Sequence, residues 1–365
     1  MGLLSAAPEI QVNQKNYDNS ILIISVLLLF SIKTFSQNNT ASFLYWHPSA
    51  KYYSMGGIGT AVSNDIYSSY YNPAGLVFSK RMTISGSFVK PYPFFGNIAN
   101  SFIGVSFKID NSNAVALSSD LFWLGEQQRT LSDSPEPFGI LENLLSWELK
   151  LSYGILLNKN ISAGVSLGIL QTNLSNKRVG YEQGKGTATT VLFDAGILLK
   201  DILRESTVQI NYDKKDYSPF LNWLTDIGEE NKSKGISLGL DASNLGPDIS
   251  FVDAEQKDPP PSKITFGMSY IPLSSFPVNI LIGTDFEERL NENNFIDYIH
   301  FGGEVRIFKV LAVRGGYFYG TSDNLLSYPT YGFGICIKYI SINVANYNRS
   351  LESTWHFDTI ISLEF

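Results

Sequence analysis

The feature that most constrains this chain is a series of segments of about ten residues in which apolar and polar side chains alternate. In the last of them, residues 355–365, the sequence reads WHFDTIISLEF. Odd-numbered positions there are apolar except for one threonine, and even-numbered positions are mostly polar. A period of two is the pleat of a β-strand that has one face in an apolar environment. The pattern therefore predicts an all-β fold whose strands each have an apolar and a polar face.

The composition places these strands in a membrane. Aromatic residues make up 13% of the chain and charged residues only 17%, whereas soluble domains average about 25% charged residues. Beyond the N-terminal region, no apolar run reaches the roughly 20 residues that a spanning helix needs. Since backbone polar groups find no water in a bilayer, such a chain must cross it as a closed antiparallel β-barrel. The net charge of −7 argues against nucleic acid as a partner.

The alternating segments number about fourteen, an even number as expected for a single-chain bacterial barrel. Short and long connections alternate between them, and in such barrels short turns face the periplasm while long loops face outside. The exception is an insert at residues 201–234, which falls on the periplasmic side. It is open to three interpretations: a decorated turn with a short amphipathic helix, a docking element for a periplasmic partner, or a shifted strand count.

The N-terminal region has the features of an export signal. Residues 21–32 form an apolar run, ILIISVLLLFSI, which is too short for a spanning helix. Thr34 and Ser36 are the small residues that suit cleavage after Ser36. We therefore expect residues 1–36 to contain a signal peptide and the mature chain to begin at Gln37. A buried core helix is the alternative for the apolar run.

The segment at residues 37–80 contains a stretch, residues 46–79, that lacks strand periodicity and includes glycines and turn residues. The glycines allow close backbone packing and positive φ angles, and a proline disfavours helix at the residue before it. Because a barrel of about fourteen strands would otherwise have an open interior, we expect this segment to fold into the lumen as a plug, with residues 81–365 forming the barrel. The candidate plug residues are Met55, Gly56, Gly57, Gly59, Asn72, Pro73, Ala74 and Gly75.

The terminal residue, Phe365, ends an amphipathic strand in the way that resembles the C-terminal signal read by the barrel-assembly machinery. This predicts the assembly machinery and outer-membrane lipid as partners. The sequence offers no recognisable catalytic motif around its three histidines, His47, His300 and His356, and no metal-ligand spacing or phosphate-binding loop. We therefore expect no enzymatic activity, no cofactor and no metal site.

Three stretches carry a resemblance to a known family. Residues 55–76, MGGIGTAVSNDIYSSYYNPAGL, resemble the N-terminal signature of the PorV/PorQ family, which lies within the wider FadL-like superfamily of fourteen-stranded barrels. Residues 187–199 and 239–250 are similar to mid-barrel strands of that family. The resemblance spans residues 45–365, and the insert at 201–234 departs from the family pattern.

The resemblance implies a location in the outer membrane of a Gram-negative, Bacteroidetes-type bacterium. It also implies an interaction role in type IX protein secretion, in which extracellular loops bind secreted cargo or surface-attached proteins. The loops that this implies are residues 124–146, 172–187 and 251–262.

Three aromatic residues in or beside these loops, Phe138, Trp147 and Phe251, are candidate anchors for a partner, since interfaces favour aromatics. The alternative for them is the aromatic girdle of the membrane interface. A second function remains open, transport of hydrophobic small molecules as in FadL-like barrels, with hydrophobic ligand or lipid as partner. In that case Tyr70, Tyr71 and Leu76 would line the pocket, although they equally suit the packing of the plug.

Overall fold

The computed structural model is a closed antiparallel β-barrel of fourteen strands, as the alternation predicts. No helix in the described part of the chain is long and apolar enough to span a membrane. The structure describes residues 40–93, 97–125, 127–131, 134–141, 144–175, 186–202, 235–251, 257–275, 277–291, 295–348 and 353–364. The predicted signal cleavage site at Ser36 and Gln37, most of the insert (203–234) and Phe365 lie outside these residues.

The barrel consists of consecutive antiparallel neighbours, and β1 pairs with β16 to close the ring. The barrel strands are β1 (Met82–Val89), β2 (Ala99–Lys108), β3 (Asn113–Trp123), β6 (Leu145–Asn158), β7 (Ile161–Asn173), β8 (Thr187–Ile202), β9 (Ile236–Leu245), β10 (Lys263–Ser275), β11 (Val278–Arg289), β12 (Tyr298–Ile307), β13 (Leu311–Gly320), β14 (Tyr328–Ile337), β15 (Ile340–Asn348) and β16 (Ser353–Leu363). A separate two-stranded sheet consists of β4 (Gln127–Leu131) and β5 (Ser134–Leu141).

The closing strand shows how the sequence pattern becomes a membrane surface. On β16, Trp355 and Phe357 are half exposed, whereas His356 and Asp358 are buried. The apolar side chains therefore point outward and the polar ones inward, the reverse of a soluble barrel. This orientation follows from a lipid surround on one side of the sheet and a polar interior on the other.

Connection lengths alternate along the barrel. Residues 109–112 join β2 to β3, and only Lys338 and Tyr339 join β14 to β15. Most connections at the opposite end are longer, although residues 349–352 alone join β15 to β16, and the one between β3 and β6 carries the β4–β5 hairpin. The insert between β8 and β9 is the exception among the short connections. The sequence predicted a plain loop at 124–146, and the hairpin corrects that expectation. Its strands are short and lack a clear alternation, so periodicity did not reveal them.

The N-terminal segment, which we define as residues 40–79, packs against the inward faces of the barrel strands. It forms short helical pieces at Ser42–Tyr45, Ala50–Tyr53, Ser68–Tyr71 and Pro73–Phe78. Hydrogen bonds tie it to strands all around the ring. These bonds are Ser69 to Ser118 of β3, Asn72 to Ile197 of β8, Gly59 to Asp285 of β11 and His356 of β16 to Pro48.

The main apolar core lies between this segment and the strands. From the segment it contains the fully buried side chains of Tyr52, Met55, Ile58, Ile66, Tyr67 and Leu76. The strands contribute Phe102, Ala114, Ala116 and Ile360. The hydrophobic effect therefore favours keeping the segment inside the ring, since these surfaces would otherwise face a polar interior.

Candidate functional site at the inner wall

The glycine loop of the N-terminal segment adopts a backbone that requires glycine. Gly56 and Gly57 have φ angles of 71° and 82°, a left-handed region in which a Cβ atom is strained. The Gly56 amide donates to the Thr330 hydroxyl at 2.9 Å, and its carbonyl oxygen lies 2.8 Å from Nδ1 of His300. The loop is therefore held by side chains from β12 and β14.

The barrel wall is also built for close approach at this point. A Cβ atom added to Gly302 of β12 or Gly316 of β13 would collide with the backbone of Met55 and Gly56. Two backbones thus lie in direct contact, which only glycine allows. Nearby, the amides of Gly59 and Thr60 both donate to Oδ2 of Asp285 at 2.9 Å.

A second anchor lies at the Asn-Pro turn. Nδ2 of Asn72 donates to the carbonyl oxygens of Thr60 at 3.0 Å and Ile197 at 3.1 Å. Its Oδ1 accepts from the Ala74 amide at 3.0 Å and so caps the 3-10 helix that begins at Pro73. One asparagine therefore joins two parts of the segment to β8.

Strands β7 and β8 leave room for this turn. Added Cβ atoms on Gly164 and Gly196 would collide with Pro73 and with the Asn72 side chain, respectively. Gly75 instead packs inside the segment, where a Cβ atom would meet Ser63 and Ser68. All eight candidate plug residues are buried, and seven of them cluster at or beside the two anchors.

Charged side chains line the inner wall in paired networks. Arg314 donates to Glu304 at 2.7 Å and to Asn343 at 2.9 Å, and Asn343 donates to Asp358 at 2.6 Å. The same aspartate accepts from the Ser49 hydroxyl at 2.8 Å. Each of these buried charged groups therefore has a partner, as burial of charge requires. Through Ser49, the network also reaches the N-terminal segment.

Two histidines and a glutamate meet between the segment and the wall. His47 of the segment, Glu287 of β11 and His300 of β12 offer ligand atoms that lie within 4.8 Å of one another, and all three residues are buried. His47 contacts the rings of Tyr53, Tyr70, Tyr71, His300 and Phe318. Burial lowers the pKa of His47 well below its usual value, and nearby Lys263 acts in the same direction.

Among the described residues, these three form the group whose ligand atoms lie close enough together to hold a metal ion. Sequence reasoning missed them because His47 lies far from the other two along the chain and no ligand spacing links them. Part of the signal was available: Asp285 pairs with His300 and Glu287 with Tyr298 in the ladder. Alternation therefore directs Glu287 and His300 to the same face of neighbouring strands.

Two of the three aromatic residues proposed as anchors for a partner have contacts in the described structure. Nε1 of Trp147 donates to Gln171 across the β6–β7 ladder at 2.8 Å. Phe251 packs against an apolar cluster that includes Phe43, Leu44 and Leu192. The side chain of Phe138 lies outside the described part of the structure.

The residues proposed for a ligand pocket pack the segment. The Tyr70 hydroxyl donates to the Leu44 carbonyl at 3.1 Å, and Leu76 belongs to the main core. Tyr71 lines a small cavity with His47, Glu287 and His300. That cavity has room for about one water-sized group, far less than a hydrocarbon needs.

Comparison with known proteins supports the family resemblance and the fold. Residues 34–198 match the family model described as type IX secretion system protein PorV. This range contains the N-terminal segment and the chain up to β8, so the resemblance inferred from residues 55–76 is confirmed there. No curated protein matches the chain.

Solved structures with a similar fold include a toluene transporter and a monoaromatic hydrocarbon channel. The toluene transporter TodX of P. putida is 11% identical, with a TM-score of 0.50, and the match covers 86% of this chain and 98% of TodX. The monoaromatic hydrocarbon channel CymD is 12% identical, with a TM-score of 0.50, covering 91% of this chain and 100% of CymD. A deltaS2S3 mutant of TodX reaches a TM-score of 0.53 at 11% identity, covering 86% and 97% of the two chains. At this identity the similarity establishes the fold alone, a closed antiparallel β-barrel.

Proposed function

We propose that this outer-membrane barrel, which matches the PorV family model from its N-terminal segment to β8, acts in type IX protein secretion by binding secreted or surface-attached proteins. The match to that family model is the observation that carries the proposal. The host would then be a Bacteroidetes-type bacterium, in keeping with the resemblance found in the sequence.

The packing of the interior supports a binding role over a transport role. The N-terminal segment is hydrogen-bonded to strands around the ring, and many of its side chains are buried against them. A segment that acted as a plug would leave the loops as the surface available to large partners. A plug role for Met55, Gly56, Gly57, Gly59 and residues 72–75 belongs to this proposal.

The β4–β5 hairpin is the contact element that we propose. It lies in the longest described connection, at the end of the barrel that faces outside in such proteins. Its strands pair from Gln127 with Leu141 to Leu131 with Ser134. A two-stranded sheet offers edges to which an extended peptide can add a further strand.

A crosslinked pull-down from a host with a type IX system tests the proposal. Wild-type chain with an epitope tag should recover secreted proteins, and replacement of residues 127–141 by a Gly-Ser linker should reduce that recovery at least tenfold. The control replaces residues 321–327, a loop at the same end of the barrel, and should keep wild-type recovery. Secreted proteins missing from the wild-type sample would overturn the function, and full recovery without the hairpin would overturn the contact element.

Transport of a hydrophobic small molecule is the second candidate, favoured by the fold shared with the TodX and CymD channels. Native mass spectrometry of the purified barrel separates the two. A bound lipid or aromatic hydrocarbon that persists in detergent would support transport, while its absence together with co-purified secreted proteins supports the binding role.

A further inference from the structure

Independently of the role in secretion, we propose that His47, Glu287 and His300 bind one divalent transition-metal ion of the zinc type. The ion would join the N-terminal segment to strands β11 and β12.

The donor set suits zinc. Two imidazole nitrogens and one carboxylate oxygen are ligands that zinc prefers, with a fourth position open to water. Nε2 of His300 lies 3.8 Å from Oε2 of Glu287. Ligands of a tetrahedral ion with bonds of about 2.1 Å lie about 3.4 Å apart. A shift of a few tenths of an ångström therefore brings this pair to ligand distance.

His300 is already oriented as a ligand. Its Nδ1 lies 2.8 Å from the Gly56 carbonyl oxygen, which can only accept, so Nδ1 carries the proton and donates. Nε2 is then left with its lone pair, in a side chain that is 2% exposed. Among the described residues this Nε2 has no hydrogen-bond partner. Metal-binding histidines characteristically donate their other nitrogen to a carbonyl or carboxylate in this way.

The surroundings provide space and balancing charge. The three residues line the small cavity together with Thr60 and Asp285, and one water-sized group fits there. Oδ1 of Asp285 is also buried without a hydrogen-bond partner in the described structure. An ion in the cavity would face this carboxylate as well as Glu287.

The positive charge of Lys263 disfavours a metal ion at this site. Its Nζ lies 3.2 Å from Oε2 of Glu287, and Arg289 binds the other carboxylate oxygen at 3.0 Å. A cation at Oε2 must displace the lysine ammonium, which repels it. We therefore expect Lys263→Met to strengthen zinc binding, although it removes a buried ion pair.

The experiment uses the full barrel in detergent, purified with a tag other than polyhistidine and stripped of metal with EDTA. Zinc is added, and its stoichiometry is measured by elemental mass spectrometry after dialysis. Cobalt(II) absorption reports the ligand geometry. We expect one zinc per chain and a higher temperature for loss of the folded, heat-modifiable form. His300→Gln and His47→Gln should each weaken zinc binding at least about tenfold, as even the loss of an outer-shell partner does.

His356→Gln is the matched control. His356 is also buried on the inner wall and also bonds the segment, through Nε2 and the Pro48 carbonyl at 3.1 Å, but it lies outside the cluster. It should bind zinc like the wild type. A wild-type barrel that takes up no zinc, or equal losses in His356→Gln and His300→Gln, would overturn the proposal. If His300→Gln does not assemble, the wild-type stoichiometry and the sign of the Lys263→Met effect still decide it.

Discussion

At the scale of single residues, glycine on the barrel wall determines where the N-terminal segment can sit. Gly316 faces inward and meets the backbone of Met55 and Gly56, whereas its neighbour Gly315 has nothing within 4 Å of the position a Cβ atom would take. The two positions belong to the same strand, β13, and point to opposite faces. Substituting each glycine in turn therefore distinguishes loss of contact with the N-terminal segment from the effect of losing a glycine in the strand.

We expect Gly316→Ala to destabilise the folded barrel by about 1–3 kcal/mol, because the added methyl group overpacks a backbone contact. Gly315→Ala should be neutral or slightly stabilising, because its methyl group enters open space and alanine restricts the unfolded chain. Urea unfolding of both variants in detergent micelles measures the difference. Equal midpoints for the two would contradict the close approach of segment and wall.

The role of these wall glycines was not visible in the sequence. The segment's own glycines were singled out because they cluster within a few positions, from Gly56 to Gly59. Gly302 and Gly316 lie in strands where glycine is common, and only the folded ring shows which backbone approaches them.

At the scale of elements, the barrel strands could be predicted from the sequence, whereas the hairpin in the connection between β3 and β6 could not. The last alternating segment was predicted at residues 355–365, and β16 covers Ser353–Leu363. Alternation predicts these elements because lipid on one side and a polar interior on the other impose it directly. The β4–β5 hairpin lies outside the barrel sheet, so no such constraint marked its sequence.

The closing strand leads to a prediction about assembly. β16 pairs with both β15 and β1, so the ring cannot close before this strand is in place. Deletion of Phe365 should reduce the amount of folded, heat-modifiable barrel in the outer membrane severalfold, because it removes the terminal aromatic residue proposed as the assembly signal. Phe357→Ala, which removes a phenylalanine from within β16 instead, is the control and should assemble near wild-type levels. Undiminished assembly without Phe365 would argue against the terminal signal.

At the scale of the whole molecule, the ring and the segment form one unit. Residues distant in sequence, such as His47 and His300, become neighbours only when the barrel has closed around the segment. This explains why a sequence without ligand spacing did not predict the complete cluster. It also implies that loosening the segment at one anchor should be detected by a property of the entire barrel, its permeability.

Replacement of Asn72 and Pro73 by alanine is the test at this scale. The change removes the side chain that bonds the Thr60 and Ile197 carbonyls and the Ala74 amide. Each buried group left without a partner costs about 1–3 kcal/mol. The loss of proline also frees the backbone at the start of the 3-10 helix. We therefore expect larger and more frequent openings in planar bilayers than the wild type shows.

The matched control places the same two alanines where nothing holds the segment. Asn111 and Ser112 lie in the short turn between β2 and β3, and Asn111 is exposed. Their double replacement should leave conductance at the wild-type level, because the segment keeps both of its anchors. If the Asn72–Pro73 variant conducts no more than this control while remaining folded, the segment does not seal the lumen. In that case the interior contacts would serve the stability of the barrel alone.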